Sequence, residues 1–156
     1  MIIKNNHLRI LTIILFVLSI NFKSNSKTLI VSNLSNADSC SLRDMISIAE
    51  DGDTIFFYIE NDLSSEINIS QQLTTKKDLY INGINLYNSD TLTIKQQQDQ
   101  ERILSVEGTY KKVIIDNLKF KNGKLGAIVL NTGNSLTLNN CHIDSNQYKN
   151  DYHQYS

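Results

Sequence analysis

Three stretches of this chain can be laid over one another: Leu79-Tyr80-Ile81-Asn82-Gly83-Ile84-Asn85-Leu86, Val113-Ile114-Ile115-Asp116-Asn117-Leu118-Lys119-Phe120 and Leu136-Thr137-Leu138-Asn139-Asn140-Cys141-His142-Ile143. Apolar residues hold the first, third, sixth and eighth positions, and an Asn or Asp followed by Gly or Asn holds the fourth and fifth. A strict two-residue period would put positions one and six on opposite faces of a strand. The central pair must therefore turn a corner and reset the phase, and Asn and Gly tolerate the left-handed conformation that a corner requires. Each copy reads as strand, bend, strand around a shared interior. The step from Leu79 to Val113 is longer than the step from Val113 to Leu136, so the unit is one coil with a corner loop of variable length. Stacked coils would align Ile84, Leu118 and Cys141 in one internal column and Leu86, Phe120 and Ile143 in the next. A sandwich would need long reversals between copies, whereas these connections run on in one direction.

The rest of the chain fits such a stack. Short β-rich runs are expected at 28–31, 54–59, 66–69, 78–81, 91–94, 102–106, 112–115, 127–130 and 135–138, separated by Asn, Gly and Asp. The runs at 103–106 and 127–130 would form the third side of each coil. One segment breaks the pattern. Leu42, Met45, Ile46 and Ala49 recur at helical spacing, Ser41 and Asp44 sit where a helix start wants them, and Asp51-Gly52-Asp53 is a stop signal. A single helix is expected over about 42–50. The expected fold is thus all-β: a single-stranded right-handed parallel β-helix, or β-solenoid, of a few coils with a short N-terminal capping α-helix.

The segment 1–26 reads as a cleavable signal peptide: Lys4 and Arg9 precede an apolar run over 10–20, and Ser24 and Ser26 have the small-residue spacing of a peptidase site. Cleavage there leaves Lys27 first. The run is shorter than the roughly 20 apolar residues of a membrane span, although an uncleaved anchor is the alternative, and no Cys follows it to carry a lipid. The expected organisation is signal 1–26, β-helix 27–146 and an irregular tail 147–156. With 15 basic and 16 acidic residues the chain carries no electrostatic footprint for nucleic acid.

Residues Cys40-Ser41-Leu42-Arg43-Asp44-Met45, followed by Ile48-Ala49 and Gly52-Asp53-Thr54-Ile55, resemble the segment Cys-Ser-Leu-Arg-Glu-Ala of a group of exported right-handed parallel β-helix proteins with a pectin-lyase-like fold. The stretch 127–146 is similar to that group's repeated coil, and the resemblance spans about 28–146. It implies that the helix caps the first coil and that the protein works at the cell surface or outside the cell. Members of the group usually continue for many more coils, so the resemblance also implies a truncated or split member with an open last coil, through which copies could self-associate.

Export would carry Cys40 and Cys141 into an oxidising compartment, where a disulfide is the first expectation. The stack argues otherwise. It separates them by at least two coil spacings of about 4.8 Å, beyond the roughly 7 Å that a bridge tolerates.

No catalytic constellation is evident, and no catalytic, cofactor-binding or metal-binding residue is assigned. Asp99, Glu101, Arg102 and Glu107 lie beside a Gln-rich loop and read as a solvated corner. Asp116 shares a corner position with Asn82 and Asn139, Asp144 follows the last copy, and His142 should point outward; His7 lies in the leader. Ser41 and Asp44 are explained by helix capping, and the sequons at Asn33 and Asn68 are common in a chain so rich in Asn and Ser. The expected function is a non-enzymatic exported protein of adhesion, scaffolding or glycan contact, without a cofactor. The alternatives are a polysaccharide lyase or hydrolase on the same fold, because fold alone does not fix function, and a non-functional gene remnant.

Overall fold

A computed structural model of the chain describes residues 26–60, 64–99 and 101–146. The expected tail from 147 and the leader, apart from Ser26, lie outside the described residues. Strand β1 (Thr28–Val31) leads to helix α1 (Leu42–Ile48), and strands β2 (Asp53–Phe57), β3 (Glu66–Ile69) and β4 (Leu73–Thr75) complete the first full coil. The next comprises β5 (Leu79–Asn85), β6 (Thr93–Gln96) and β7 (Leu104–Val106). It is followed by β8 (Lys112–Asp116), β9 (Lys119–Lys121) and β10 (Ile128–Leu130), and then by β11 (Ser135–Asn139) and β12 (His142–Asp144).

Equivalent strands of successive coils pair in parallel and form three sheets, ordered β1-β2-β5-β8-β11, β3-β6-β9-β12 and β4-β7-β10. This is the parallel β-solenoid that the repeat calls for. Leu79, Val113 and Leu136 stand in register, as do Ile81, Ile115 and Leu138. Alternation decides the interior: Ile55, Phe57, Ile81, Val113, Ile115, Ile67, Ile94, Phe120, Leu73, Leu104 and Val106 are all buried in one core.

The repeat holds at two of its three corners. Asn117 and Asn140 take φ values of 54° and 51°, the left-handed turn expected of them. Asn82-Gly83 is not a corner: β5 continues through it to Asn85, bulging against β2, where Ile55 pairs with Ile81 but Phe57 pairs with Asn85. A small hairpin then leaves the coil, with Ile84 bridging Thr91 and Asn85 N–H donating to the Asp90 carbonyl at 2.8 Å. The chain rejoins the coil at Leu92, which accordingly takes the place expected for Ile84. Leu92, Leu118 and Cys141 form one column through Lys119 N–H to Leu92 O and His142 N–H to Leu118 O, each at 3.0 Å. Ile94, Phe120 and Ile143 form the next, so Leu86, half-exposed on the hairpin, is displaced from it. Gly83 is needed for closeness rather than for turning. A Cβ there would overlap the Asn117 carbonyl and the Leu118 side chain of the next coil.

Helix α1 sits where the third sheet lacks a strand above β4, and it packs on β4 and β1. Ser41 Oγ accepts Asp44 N–H at 3.3 Å, while the Asp44 carboxylate accepts the N–H of Cys40, not of Ser41, at 2.8 Å. Leu42, Met45 and Ile46 face inward. Arg43 locks the cap to the coil beneath it. Its guanidinium donates to the carbonyls of Asn36, Gln71 and Gln72 and to Asn36 Oδ1 at 2.6–3.2 Å, and partial burial lowers its pKa. Such a cover protects the open edge of a sheet from pairing with another chain. At the other end Leu136, Leu138 and Cys141 are only half-buried and Ile143 is 50% exposed. Both cysteines are free, as the coil spacing requires.

The corners leading into the first sheet share a device that the repeat does not reveal. Side-chain oxygens accept backbone N–H groups of neighbouring coils: Asp53 from Lys27, Asp51 from Asp78, Asp78 from Lys112 and Asn134 from Lys111, all at 2.7–2.8 Å. These bonds satisfy donors that have turned out of the ladders.

Candidate functional site

Of the residues first considered for chemistry, Asp99 and Glu101 come together and the others lie apart. Asp99 and Glu101 line an open polar groove of about 510 Å³ with Ser70, Gln71 and Gln98. Glu107 lies beyond the far end of β7, paired with Lys76 at 3.5 Å, and Arg102 contributes its carbonyl to the buried amide of Gln96. Asp144 accepts a bond from Ser145, and His142 is exposed on β12. Ser41 is fully buried as the helix cap. Asn33 is folded into a turn with Ser35 and Ser39, and Asn68 bonds Gln97. Among the described residues no group of three or more His, Cys, Asp or Glu side chains could hold a metal ion.

The side chains that do gather lie on the outer face of the first sheet. In β2 the alternation that sends Ile55 and Phe57 inward sends Phe56 outward, and Tyr58 continues that register one step past the strand end. In β5 the same alternation presents Tyr80 and Asn82. Phe56 and Tyr80 meet edge to face, with ring centroids 6.3 Å apart and planes at 83°. The hairpin after β5 carries Tyr87 back over β2, where it meets Tyr58 at 5.9 Å and 81°. Edge-to-face pairs of this kind hold both rings in defined positions. Tyr58 is 40% exposed and Tyr87 51%, so both offer ring surface to solvent.

Beside the rings runs a ladder of amides and one carboxylate, built from the fourth position of each repeat copy. Asn82, Asp116 and Asn139 are in register on β5, β8 and β11. Asp116 Oδ2 accepts the Tyr80 hydroxyl at 2.7 Å, and Oδ1 accepts Asn139 Nδ2 at 2.8 Å. Asn82 donates to the Tyr80 hydroxyl at 3.4 Å and accepts Asn117 Nδ2 at 3.2 Å. Asp116, read from sequence as a turn former, is thus the centre of a surface network. Its hydrogen bond raises the Tyr80 pKa, with burial adding to the effect; the Glu60 carboxylate raises that of Tyr58 through a hydrogen bond. Both phenols stay protonated at neutral pH and remain hydrogen-bond donors.

This face combines aromatic rings with amide and hydroxyl groups: Phe56, Tyr80, Asn82, Asp116 and Asn139 on strands, Tyr58 just past β2 and Tyr87 on the hairpin. It can stack on apolar ring faces and hydrogen-bond hydroxyls. Each Asp116 oxygen accepts one bond, which fixes the carboxylate between Tyr80 and Asn139. Glu60, Asp90 and Asp116 make the surroundings acidic. Sequence reasoning misses the face because Tyr58 and Tyr87 meet only through the hairpin. The available signal is the alternation of Phe56 and Tyr58 with Ile55, Phe57 and Ile59. No family profile, curated protein or solved structure matches the chain.

Proposed function

We propose that this is an exported, non-enzymatic β-solenoid of the cell surface or extracellular space whose aromatic face contacts neutral glycans. The resemblance of residues 40–55 to the exported β-helix group and the leader-like segment 1–26 support export. The observation that carries the glycan reading is the pairing of Tyr58 with Tyr87 beside the Tyr80–Asp116–Asn139 ladder. Rings stack on the C–H faces of sugars, and amides read their hydroxyls. The acidic surroundings disfavour polyanionic glycans by charge repulsion.

Retention on insoluble neutral polysaccharides such as cellulose or a mannan, compared with pectin and alginate, tests the reading. Selective retention on a neutral glycan, abolished by Tyr58→Ala with Tyr87→Ala, is the expected outcome. Release of soluble sugar that disappears with Asp99→Asn or Glu101→Gln would replace it with an enzyme working in the polar groove.

A further inference from the structure

Among the described residues Asp53 is the only fully buried charged side chain, at 1% exposure. It opens β2, where the strand's inward register forces it below the surface. Its carboxylate is held at both oxygens by backbone donors: Oδ2 accepts Glu50 N–H at 2.8 Å and Oδ1 accepts Lys27 N–H at 2.7 Å. A carboxylate taken out of water is costly unless it is paired as well as hydrogen-bonded. Asp51 and Asp78 do comparable work at neighbouring corners while remaining more exposed, so holding a corner does not require full burial. What distinguishes Asp53 is the identity of its donor. Lys27 follows Ser26, the residue at which the leader is expected to be cut.

We propose that Asp53 is a built-in receptor for the α-amino group created by cleavage between Ser26 and Lys27, so that removal of the leader completes the first corner of the solenoid. The proposal rests on the export reading. Hydrolysis of that peptide bond by an exogenous peptidase adds one water: Ser26 leaves with a carboxylate, and the Lys27 nitrogen takes up protons to become an ammonium. The same nitrogen that donates one N–H to Asp53 Oδ1 then carries a full positive charge at that position. An amide contact becomes a short, partly buried ion pair. The cut also removes the Ser26 hydroxyl bond to the Gly52 carbonyl at 2.6 Å, which is exposed and contributes little. The rest of Lys27 is already placed, because its carbonyl accepts Thr54 N–H at 2.9 Å and its Nζ pairs with Glu50 at 3.2 Å.

The charged groups around the new terminus are Asp53, Glu50 with its partner Lys27 Nζ, Lys77, whose charge reaches Asp53, and, in the adjoining turns, Asp51 with its partner Lys111 and Asp78. The buried carboxylate is the one in contact, so the ammonium form is favoured. The α-amino group should titrate above its ordinary range of about 7.7–8.0. Its stabilisation is fully present below that range and is lost as pH rises through the raised value.

The test compares the chain beginning at Lys27, released by a protease that leaves no extra residue, with the same chain beginning at Asn25. At pH 6.5 the Lys27 form should melt about 3–8 °C higher. The gap should close above pH 10 and be absent when both carry Asp53→Asn. Equal melting temperatures at pH 6.5, or a gap that survives Asp53→Asn, would overturn the receptor. NMR titration of the Lys27 α-amino group needs no variant: a midpoint above 8 supports the receptor and an ordinary one refutes it. N-terminal sequencing of the exported protein checks the cut separately. Lys27 at the first position supports it, and any other terminus refutes the processing half while leaving the engineered comparison to judge the receptor.

Discussion

Asn85 holds the backbone of Ile59 with both ends of its side-chain amide: Oδ1 accepts Ile59 N–H at 2.9 Å and Nδ2 donates to Ile59 O at 3.0 Å. The contact joins the end of β5 to the chain just past β2, and Asn85 is 3% exposed. A side chain here replaces a rung of the ladder that the hairpin interrupts. Asn85→Leu keeps the volume and removes both of these bonds, together with the one that Oδ1 accepts from Tyr87 N–H at 3.2 Å, leaving the buried N–H and carbonyl of Ile59 without partners. The expected loss is about 2–4 kcal/mol, read as a lower urea midpoint with an unchanged slope.

Gly83 stands against the Asn117 carbonyl and Leu118. Gly83→Ala should force the second and third coils apart and destabilise by about 1–3 kcal/mol. Gly52, which has open space around it but a φ of 91°, offers a control. Gly52→Asn should be tolerated far better, because Asn accepts a positive φ. Thermal melting of the two variants checks the contrast between crowding and turning.

Arg43 binds three backbone carbonyls in the loop before the cap and the corner before β4. Arg43→Met retains much of the packing and loses the fork of donors. Hydrogen exchange should then quicken over α1 and the Asn36 loop before it changes in β8 or β9. Uniform quickening across all three sheets would show that the cap and the coils open as one unit.

Burial pushes the Asp53 carboxyl up, but the N–H donors of Glu50 and Lys27 outweigh it, helped by the charges of Lys27 and Lys77, and its pKa lies below the ordinary value. Because the folded-state value is depressed, the contribution is complete above the unfolded pKa of about 3.9 and is lost as pH falls through the folded value. Acid titration of stability should therefore show a limb at the acid end that flattens in Asp53→Asn. A limb of equal steepness in the variant would assign the acid sensitivity to other carboxylates.

Much of the architecture is legible because the solenoid writes its register into the sequence. Alternation alone aligns Leu79, Val113 and Leu136, and the chemistry of a left-handed turn places Asn117 and Asn140. The same rule misreads Asn82-Gly83, a strong turn signal whose glycine answers to a neighbouring coil instead. Strand β4 escapes notice since Leu73-Thr74-Thr75 has one apolar residue and no room for a period. The interior amides of Asn85 and Gln96 are invisible, because a polar residue in a β-rich sequence reads as surface. The aromatic face falls between these cases. Phe56 and Tyr58 announce an outward-facing pair, but the approach of Tyr87 depends on a hairpin that no local pattern places there.

The most direct test of the account is a titration of the protein with soluble neutral oligosaccharides from whichever glycan retains it, followed by ¹⁵N–¹H NMR. Shifts confined to the outer face around Phe56, Tyr58, Tyr80, Asn82 and Tyr87 are expected, with at least tenfold weaker binding for Tyr87→Ala and a melting temperature lowered only by the loss of the Tyr58–Tyr87 ring pair, about 0.5–1.5 kcal/mol. Binding that shifts resonances around Gln71, Gln98 and Glu101 while leaving the aromatic face silent would contradict it.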